Sequence, residues 1–507
     1  MRKLSKIVSM LLALVMLLSM SSIAAAEDAS ALEPVTLEWY VLEQDKPDSQ
    51  LVFNAINAYL QEKINTTINF HFVEGTEYKQ KISTILMSGQ AVDIVNSNDQ
   101  IPYVEYVKKG AFAPMDELLA QYAPETIAMI PEGYWDAMRV DGQVYGIPSY
   151  KDSCQFYCVQ INKTLADALG LELPESVKNY QDMVPILYEA YEKRNEMFPD
   201  DAALPICRNY PDLENWAQYE TIHGLAVVNI PGVEDYEGMG AGEKVFNKYA
   251  TKEYREMSKT IAKMTADGLL PTDLFYYDSS RLYDQAGKYL VPAIGSGYVY
   301  MPLNQNSSEW DTIMIPYQDA IGSTSYLHNA VECISASSKN KERAMMVLEL
   351  VNTDDFVATA LRFGIEGEHY NLDAEGRANF AGTKNEDPAN RAYYTWYGAQ
   401  FGALTHVHVP STYPANFAEL LEKLNQSANT QTNMGFIFDT TSVQNEIGAC
   451  NNVIKEYETN LKFGYVDVED VDANIDEFLA QLEANGVDKI IAEAQAQLDA
   501  WRAVNKK

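Results

Sequence analysis

The residues best suited to chemistry in this sequence are aromatic side chains that stand beside polar ones at predicted loops and strand ends. An aromatic ring covers the apolar C–H face of a sugar, while carboxylates, amides and lysine hydrogen-bond the sugar hydroxyls. The mixture suits a neutral carbohydrate, although each aromatic residue by itself is more typical of core packing. The residues of this pattern that we predict to bind ligand are Trp39, Tyr40, Tyr150, Lys151, Asp152, Trp216, Tyr298 and Trp396.

Sequence motifs typical of catalysis are missing. The chain contains no G-x-G-x-x-G after a strand, no G-x-x-x-x-G-K-[ST], no H-E-x-x-H and no G-x-S-x-G. We therefore predict that the protein is not an enzyme and has neither catalytic residues nor a cofactor. Paired carboxylates for glycoside hydrolysis stay an alternative, because the 72 acidic residues guarantee chance pairs.

His406 and His408 have a spacing that would let them share a metal ion. Two residues apart, they would lie on one face of a strand, but a third ligand at a telling spacing is missing. We interpret them as ordinary polar contacts of a strand, and we predict no metal site.

The elements that position these residues follow an α/β pattern. Val35 to Val41 alternates like a strand, Asp48 to Ile64 has helical spacing, and Ile68 to Val73 returns to strand alternation. A strand, a crossover helix and a second strand make a parallel unit. A short buried strand from Val92 to Val95 then opens into a polar loop. An open α/β sheet binds ligands outside the carboxyl ends of its strands, which is where most of the aromatic and polar residues would fall.

Length and charge exclude several classes of protein. The 507 residues are 47% hydrophobic, which rules out disorder, and a chain this long is expected to hold two or more lobes. The formal charge of −34 argues against nucleic acid as a partner, because phosphates need a basic surface. Anionic membrane surfaces are disfavoured for the same reason.

The N-terminal segment predicts export. Basic residues precede an apolar run from Ile7 to Met20, and small residues follow up to Ala26, where a signal peptide would be cleaved. A lipid-anchored exported protein would carry a cysteine directly after this point, but the first cysteine is Cys154. We therefore expect an extracellular or periplasmic protein, associated with the cell envelope, without a lipoprotein cysteine. The five cysteines make no disulfide framework in a chain of this size.

Several segments, taken in order, resemble a known family. Val104–Leu118, Asp141–Pro148 and Ala336–Asn340 resemble signature segments of the extracellular solute-binding proteins of the sugar-type family 1. Phe363–Tyr370 and four C-terminal segments are similar to the LipO-like subgroup, which has its own C-terminal domain. These four are Gly435–Asp439, Asn452-Val453, Glu456-Tyr457 and Gly464–Asp467.

That resemblance implies two α/β lobes joined by hinge strands. We accordingly predict an α/β, two-lobed periplasmic-binding-protein-like fold with a helical C-terminal extension. Hinge crossings are expected near Tyr145–Tyr150 and Pro316–Leu327. The predicted domains are a signal peptide at 1–26, lobe 1 at 34–148 plus about 317–360, lobe 2 at 149–316 plus about 361–430, and a mostly helical C-terminal family domain at 431–507.

The resemblance also implies where a ligand binds. Relatives contact ligand through the loop that follows the Asp93-Ile94-Val95 strand, the segment after Tyr145–Pro148 and the loop Gly295–Tyr298. Asn98 and Asp99 therefore join the predicted ligand-binding residues.

The implied function is capture of a carbohydrate for import. The favoured ligand is an oligosaccharide. It would bind between the lobes and shift them to a closed form, and the protein would deliver it to the membrane subunits of an ABC importer. A peptide or other polar solute as ligand, and a secreted carbohydrate-active hydrolase, stay as alternatives. The chain is expected to be a monomer that binds no nucleic acid.

Overall fold

The computed structural model describes most of the chain, which folds into two compact units. Unit 1 contains residues up to 129, 142–149 and 330–410, and unit 2 contains residues 130–141, 150–329 and 411–507. In unit 2 we call residues 130–141, 150–151 and 320–329 the crossing segments, because each adjoins a point where the chain passes between the units. The described residues are 32–151, 154–208, 210–211, 213–216, 219–229, 238–240, 242–272, 288–291, 293–297, 311–317, 320–395, 402–430 and 432–505. The predicted signal peptide lies outside them.

Unit 1 is built on a five-stranded sheet. Its order is Thr66–Val73, Val35–Leu42, Ile94–Ser97, Val331–Ile334 and Ile147–Pro148. The first three strands are parallel, and Val331–Ile334 runs antiparallel to both of its neighbours. The parallel strands joined by helices confirm the predicted α/β class. The other strands of this unit are Gln143–Val144, Asn371–Leu372 and Ala378–Asn379.

Helices cover both faces of this sheet. Ser49–Ile64 buries Val52, Phe53, Ile56 and Leu60 on one side, a spacing that puts all four on one stripe of the helix. It ends at Asn65, which adopts the left-handed conformation. The other helices of unit 1 are Gly75–Ser88, Tyr103–Lys108, Asp116–Tyr122, Pro124–Met129, Lys341–Thr353 and Asp355–Phe363, with a 3₁₀ turn at Leu404–His406.

Unit 2 contains two sheets. The long strand Cys154–Asn162 pairs with Ala293–Gly297 and with Thr312–Pro316, and its first residues pair with Ile321–Gly322. Ile321–Gly322 in turn pairs in parallel with Asn429–Thr430. The second sheet has the order Phe246–Asn247, Ala226–Asn229 and Tyr219–His223, and the unit also contains the short strand Arg139–Val140.

The remaining elements of unit 2 are helical. Its helices are Glu132–Ala137, Lys163–Ala168, Val184–Met197, Leu213–Trp216, Lys252–Ala266, Thr324–Leu327, Phe417–Ser427, Gln444–Lys462, Val471–Ala484 and Val487–Asn505. Its 3₁₀ turns are Tyr180–Met183, Pro199–Asp201, Lys248–Ala250, Thr441–Val443 and Val468–Asp470.

The last three helices share the core of unit 2. Phe478, which is fully buried, stacks on Tyr457 within the C-terminal region and contacts Tyr249 from the preceding part of the unit. Val159 and Leu187 belong to the same buried cluster as Leu498. The C-terminal helices therefore form the helical extension that we predicted, but they do so as part of one hydrophobic core.

Three segments fall on the other side of the predicted lobe boundaries. Residues 361–410, expected in lobe 2, belong to unit 1, while residues 130–141 and about 317–329, expected in lobe 1, belong to unit 2. Hydrogen bonds explain the first difference: the Asp48 amide donates to the Ala392 carbonyl at 3.0 Å, and Lys384 Nζ donates to the Asp48 carboxylate at 3.0 Å. These bonds hold the segment against the helices of unit 1.

Candidate functional site

The carboxyl ends of three parallel strands meet at one edge of the unit 1 sheet. Leu42 pairs with Val73 at the ends of the first two strands, and Ser97 ends the third. A methyl group on Gly75 would lie 3.8 Å from both Leu42 Cδ1 and the side-chain amide nitrogen of Gln100. The loops after all three strands therefore come together here, where an open α/β sheet binds its ligands. We call this edge the unit 1 site.

Asn98 shapes one of these loops. Its side-chain oxygen accepts hydrogen bonds from the amides of Gln100 at 2.9 Å and Ile101 at 3.3 Å, and its side-chain nitrogen donates to Asn96 Oδ1 at 3.2 Å. Such a side chain substitutes for backbone hydrogen bonding in a tight turn. Asn98 is buried, whereas Asp99 beside it is exposed. The loop thus offers an exposed carboxylate on a fixed backbone.

The segment after Tyr145–Pro148 lies beside this loop. Val331 pairs with both Ser97 and Pro148, and the Ser149 amide donates to the Ala330 carbonyl at 3.0 Å. The backbone at Gly146 lies very close to Val331, because a Cβ on Gly146 would lie 2.3 Å from Val331 Cγ1. Ser149, the first residue of that segment, therefore lies near the Asn98 loop in unit 1, whereas the segment continues from Tyr150 in unit 2.

A buried acidic residue lies in the strand next to the Asn98 loop. Glu332 pairs with Asn96 across the two strands, and its Oε1 accepts a hydrogen bond from the Gly402 amide at 3.3 Å. Burial raises the pKa of Glu332 to about 8, against smaller lowering effects from the Gly402 amide and the charge of Arg362. Glu332 therefore carries a proton at neutral pH and acts as a neutral hydrogen-bonding group.

Trp39 and Tyr40 are packed inside the sheet of unit 1 and do not lie at its edge. Trp39 is 1% exposed and its ring lies 5.6 Å from that of Phe70. Tyr40 is 5% exposed, and its ring stacks on His71 at 4.2 Å. Successive residues of a strand point to opposite faces, and both faces are covered by helices, so the two rings stabilise the sheet.

In unit 2, Tyr150 and Lys151 belong to a polar and aromatic cluster. The Asn425 side-chain nitrogen donates to the Lys151 carbonyl at 2.6 Å, and the Lys151 ammonium lies 4.9 Å from the centre of the Tyr326 ring. Tyr150 is buried, and burial raises the pKa of its hydroxyl, which stays neutral. We call Tyr150, Lys151, Tyr326 and Asn425 the unit 2 cluster.

The other predicted residues fall elsewhere. Trp216 is 5% exposed and packs against Tyr180, with ring centres 6.2 Å apart, so it is a core residue of unit 2. Asp152, Tyr298 and Trp396 lie outside the described residues.

Sequence reasoning missed several residues at these places. Glu43 follows a strand end in unit 1, and that position was a usable signal. Gln100 lies in the loop from Asn96 to Gln100 that was expected to contact ligand, although it was not singled out as a predicted residue. Tyr326 and Asn425 had no such signal, because nothing in their neighbouring residues distinguishes them from ordinary helical positions.

His406 and His408 do not form the predicted strand. His406 ends the 3₁₀ turn Leu404–His406 and its Nδ1 lies 2.8 Å from the Asp355 carboxylate, while His408 Nδ1 lies 2.8 Å from the Gly376 carbonyl. Within the described parts of the chain, no group of three or more His, Cys, Asp or Glu is arranged to hold a metal ion. Among the described residues there is also no helix with the length and apolar character needed to span a membrane.

Family models match two parts of the chain. Residues 45–259 match the model of the bacterial extracellular solute-binding proteins. Residues 432–503 match a domain of unknown function, DUF3502.

Two relatives are similar in sequence. A carbohydrate ABC transporter substrate-binding protein of Streptococcus pneumoniae serotype 4 is 27% identical over 467 residues, which cover 91% of this chain and 90% of that protein. Lipoprotein LipO of Bacillus subtilis is 23% identical over 243 residues, which cover 48% of this chain and 45% of LipO.

Solved structures share the fold. The crystal structure of the N-glycan transport solute binding protein NgtS from Streptococcus pneumoniae has a TM-score of 0.76 at 23% identity, and covers 94% of this chain and 100% of its own. The same protein in complex with Man5GlcNAc has a TM-score of 0.61 at 22% identity, with the same coverage. The chain thus has the fold of these binding proteins, and its residues 45–259 are similar to the bacterial extracellular solute-binding proteins.

Proposed function

We propose that this protein is an exported binding protein that captures an oligosaccharide and delivers it to the membrane subunits of an ABC importer. The observation that carries the proposal is the similarity to a carbohydrate ABC transporter substrate-binding protein along 91% of the chain. Fold neighbours described with Man1GlcNAc, Man5GlcNAc and kestose support a sugar ligand.

The geometry of each unit fits this role. The unit 1 site offers the exposed carboxylate of Asp99 beside the half-buried amide of Gln100, and the unit 2 cluster offers an aromatic ring and an ammonium group. Carboxylates, amides and ammonium groups hydrogen-bond hydroxyls, and aromatic rings cover C–H faces, so together they suit a sugar. Of the predicted residues, Asp99 and Lys151 remain our candidates for ligand contact, while the buried Asn98 and Tyr150 support these two places from within.

The mechanism we propose is closure of the two units around the ligand. A ligand that contacts both units has extra affinity for the closed form and shifts the equilibrium toward it by that difference. The importer then receives the closed form. In this proposal the protein acts as a monomer in the cell envelope and releases its ligand chemically unchanged.

Calorimetry with a panel of oligosaccharides tests the proposal. The panel contains mannosyl-N-acetylglucosamine oligosaccharides, kestose, alginate oligosaccharides and, as the alternative class, short peptides. We expect saturable binding of at least one oligosaccharide, with about 2.7 kcal/mol of stabilisation when the ligand is present at 100 times its Kd. Binding of peptides alone would contradict the carbohydrate assignment, and shortened sugars after incubation would favour the hydrolase.

A further inference from the structure

The first residues of the C-terminal domain lie against two of the crossing segments in unit 2. The Gly435 amide donates to the Thr324 hydroxyl at 2.8 Å, and that hydroxyl lies 3.4 Å from the Met434 sulfur. Thr324 belongs to the crossing segment 320–329. Just upstream, Asn429–Thr430 pairs with Ile321–Gly322 of the same segment.

Gly435 also packs against the crossing segment 130–141. A Cβ on Gly435 would lie 2.7 Å from the carbonyl oxygen of Asp136, and its φ of 89° is one that residues with a side chain rarely adopt. Backbone therefore meets backbone at this point, and only glycine permits it.

The crossing segments 130–141 and 320–329 are also hydrogen-bonded to each other. His328 Nε2 donates to the Ala137 carbonyl at 2.7 Å. Tyr134 donates through its hydroxyl to the Asn425 carbonyl at 3.4 Å, and Asn425 bonds to Lys151 of the third crossing segment. All three crossing segments thus join one hydrogen-bonded cluster, and Met434 and Gly435 are part of it.

The residues just before Gly435 are hydrogen-bonded to the last helix of the chain. Arg502 Nε donates to Asn433 Oδ1 at 2.8 Å, and Arg502 Nη2 donates to the Gly242 carbonyl. Arg502 is 8% exposed and lies in Val487–Asn505, which packs into the core of unit 2. A buried, hydrogen-bonded guanidinium holds its neighbours in one geometry.

We infer that the C-terminal domain functions as a brace that fixes the conformation of the crossing segments and thereby sets ligand affinity without touching ligand. The line of contacts runs from the helix Val487–Asn505 through Arg502 and Asn433 to Gly435, and from there to Asp136 and Thr324. This inference rests on the proposed function. If only part of the population has crossing segments that permit closure, the apparent Kd rises by the inverse of that fraction.

The test compares two glycine substitutions in the same domain. In Gly435→Ala the new methyl group overlaps the Asp136 carbonyl. In Gly448→Ala, within Gln444–Lys462, the new methyl group has no other atom within 4 Å apart from its chain neighbours and its own helix backbone. Hydrogen–deuterium exchange of the ligand-free proteins is measured first, so that this readout does not depend on any ligand. We expect faster exchange of amides in 132–137 and 324–328 in Gly435→Ala, and no change in Gly448→Ala.

Ligand affinity is measured next, with the oligosaccharide that the panel identifies. We expect Gly435→Ala to bind about fivefold or more weakly, with Gly448→Ala unchanged. Thr324→Val, which removes only the hydroxyl, is a milder second variant in case Gly435→Ala fails to fold, and it should show both effects to a smaller degree.

Unchanged exchange in both Gly435→Ala and Thr324→Val would overturn the brace, and so would faster exchange with unchanged affinity. Failure of the wild-type protein to bind any oligosaccharide is a different result. It would overturn the proposed function, while the exchange data would still decide whether the domain fixes the crossing segments.

Discussion

Asn98 shows how a single side chain fixes the conformation of a loop. Its oxygen accepts two backbone amides, so the loop after Ile94–Ser97 keeps its shape before any ligand arrives. A preorganised loop loses less conformational entropy on binding than a mobile one. In the proposed function, the role of Asn98 is therefore to present the neighbouring exposed carboxylate of Asp99.

The substitution Asn98→Ala tests this role. It leaves the Gln100 and Ile101 amides without their acceptor, and we expect oligosaccharide affinity to fall about tenfold, which is about 1.4 kcal/mol. Isothermal titration calorimetry measures it. Asn474→Ala, which removes a helix-surface hydrogen bond to Asp470 far along the chain, is the matched control. Equal affinity of the Asn98 and Asn474 variants would show that the loop needs no such support.

The raised pKa of the buried Glu332 leads us to predict that the stability of the protein depends on pH. Because its pKa is raised to about 8, the folded protein binds a proton that the unfolded chain releases above the ordinary pKa near 4.5. The contribution of Glu332 to stability is therefore greatest below about pH 4.5, and it is lost progressively as the pH rises from there to about 8.

Urea denaturation of the Glu332→Gln variant checks the direction of this pH dependence. The variant should match wild type at pH 4, below the pKa of the unfolded glutamate, and be more stable at pH 9, because glutamine stays neutral. Glu419→Gln, at an exposed position, should follow the wild-type curve at both pH values. A Glu332→Gln variant that is less stable than wild type at pH 9 would mean that an ionised Glu332 paired with Arg362 is the favoured state.

At the scale of elements, the C-terminal helices and the earlier part of unit 2 depend on one core. Phe478 of Val471–Ala484 is fully buried and contacts Tyr249 and Tyr254 at ring distances of 5.0 and 6.5 Å. A core shared in this way unfolds cooperatively.

Phe478→Ala should therefore destabilise all of unit 2 by about 3–5 kcal/mol, the usual cost of removing a buried phenylalanine ring. Hydrogen exchange of amides in Cys154–Asn162 reports on the distant part of the core and should quicken together with that of Val471–Ala484. Val468→Ala, at an exposed position in the same domain, should have little effect. Faster exchange confined to the C-terminal helices would indicate an independently folding domain.

Much of the element pattern was predictable because its periodicity is strong. The first strand, the first helix and the second strand begin and end within about two residues of the predicted bounds. The site was less predictable. Trp39 and Tyr40 looked like ligand-binding aromatics, but periodicity does not reveal that helices cover both faces of the sheet. Asn425 was missed because its importance arises only when distant segments meet at the Lys151 carbonyl.

At the scale of the whole molecule, the chain is divided into units that each contain several separate segments of sequence. The assignment of residues 361–410 to unit 1 was not predictable from order along the chain, because it follows from long-range bonds such as that between Asp48 and Ala392. The repeated passage of the chain between the units is what a binding protein that closes around its ligand needs.

Recovery of the bound sugar tests the central claim most directly. The purified protein is loaded with the oligosaccharide that binds in calorimetry, freed of excess ligand and then denatured, and the released sugar is analysed by mass spectrometry. We predict close to one sugar per chain, with the mass of the sugar that was supplied. No retained sugar, or sugar of lower mass, would contradict the account.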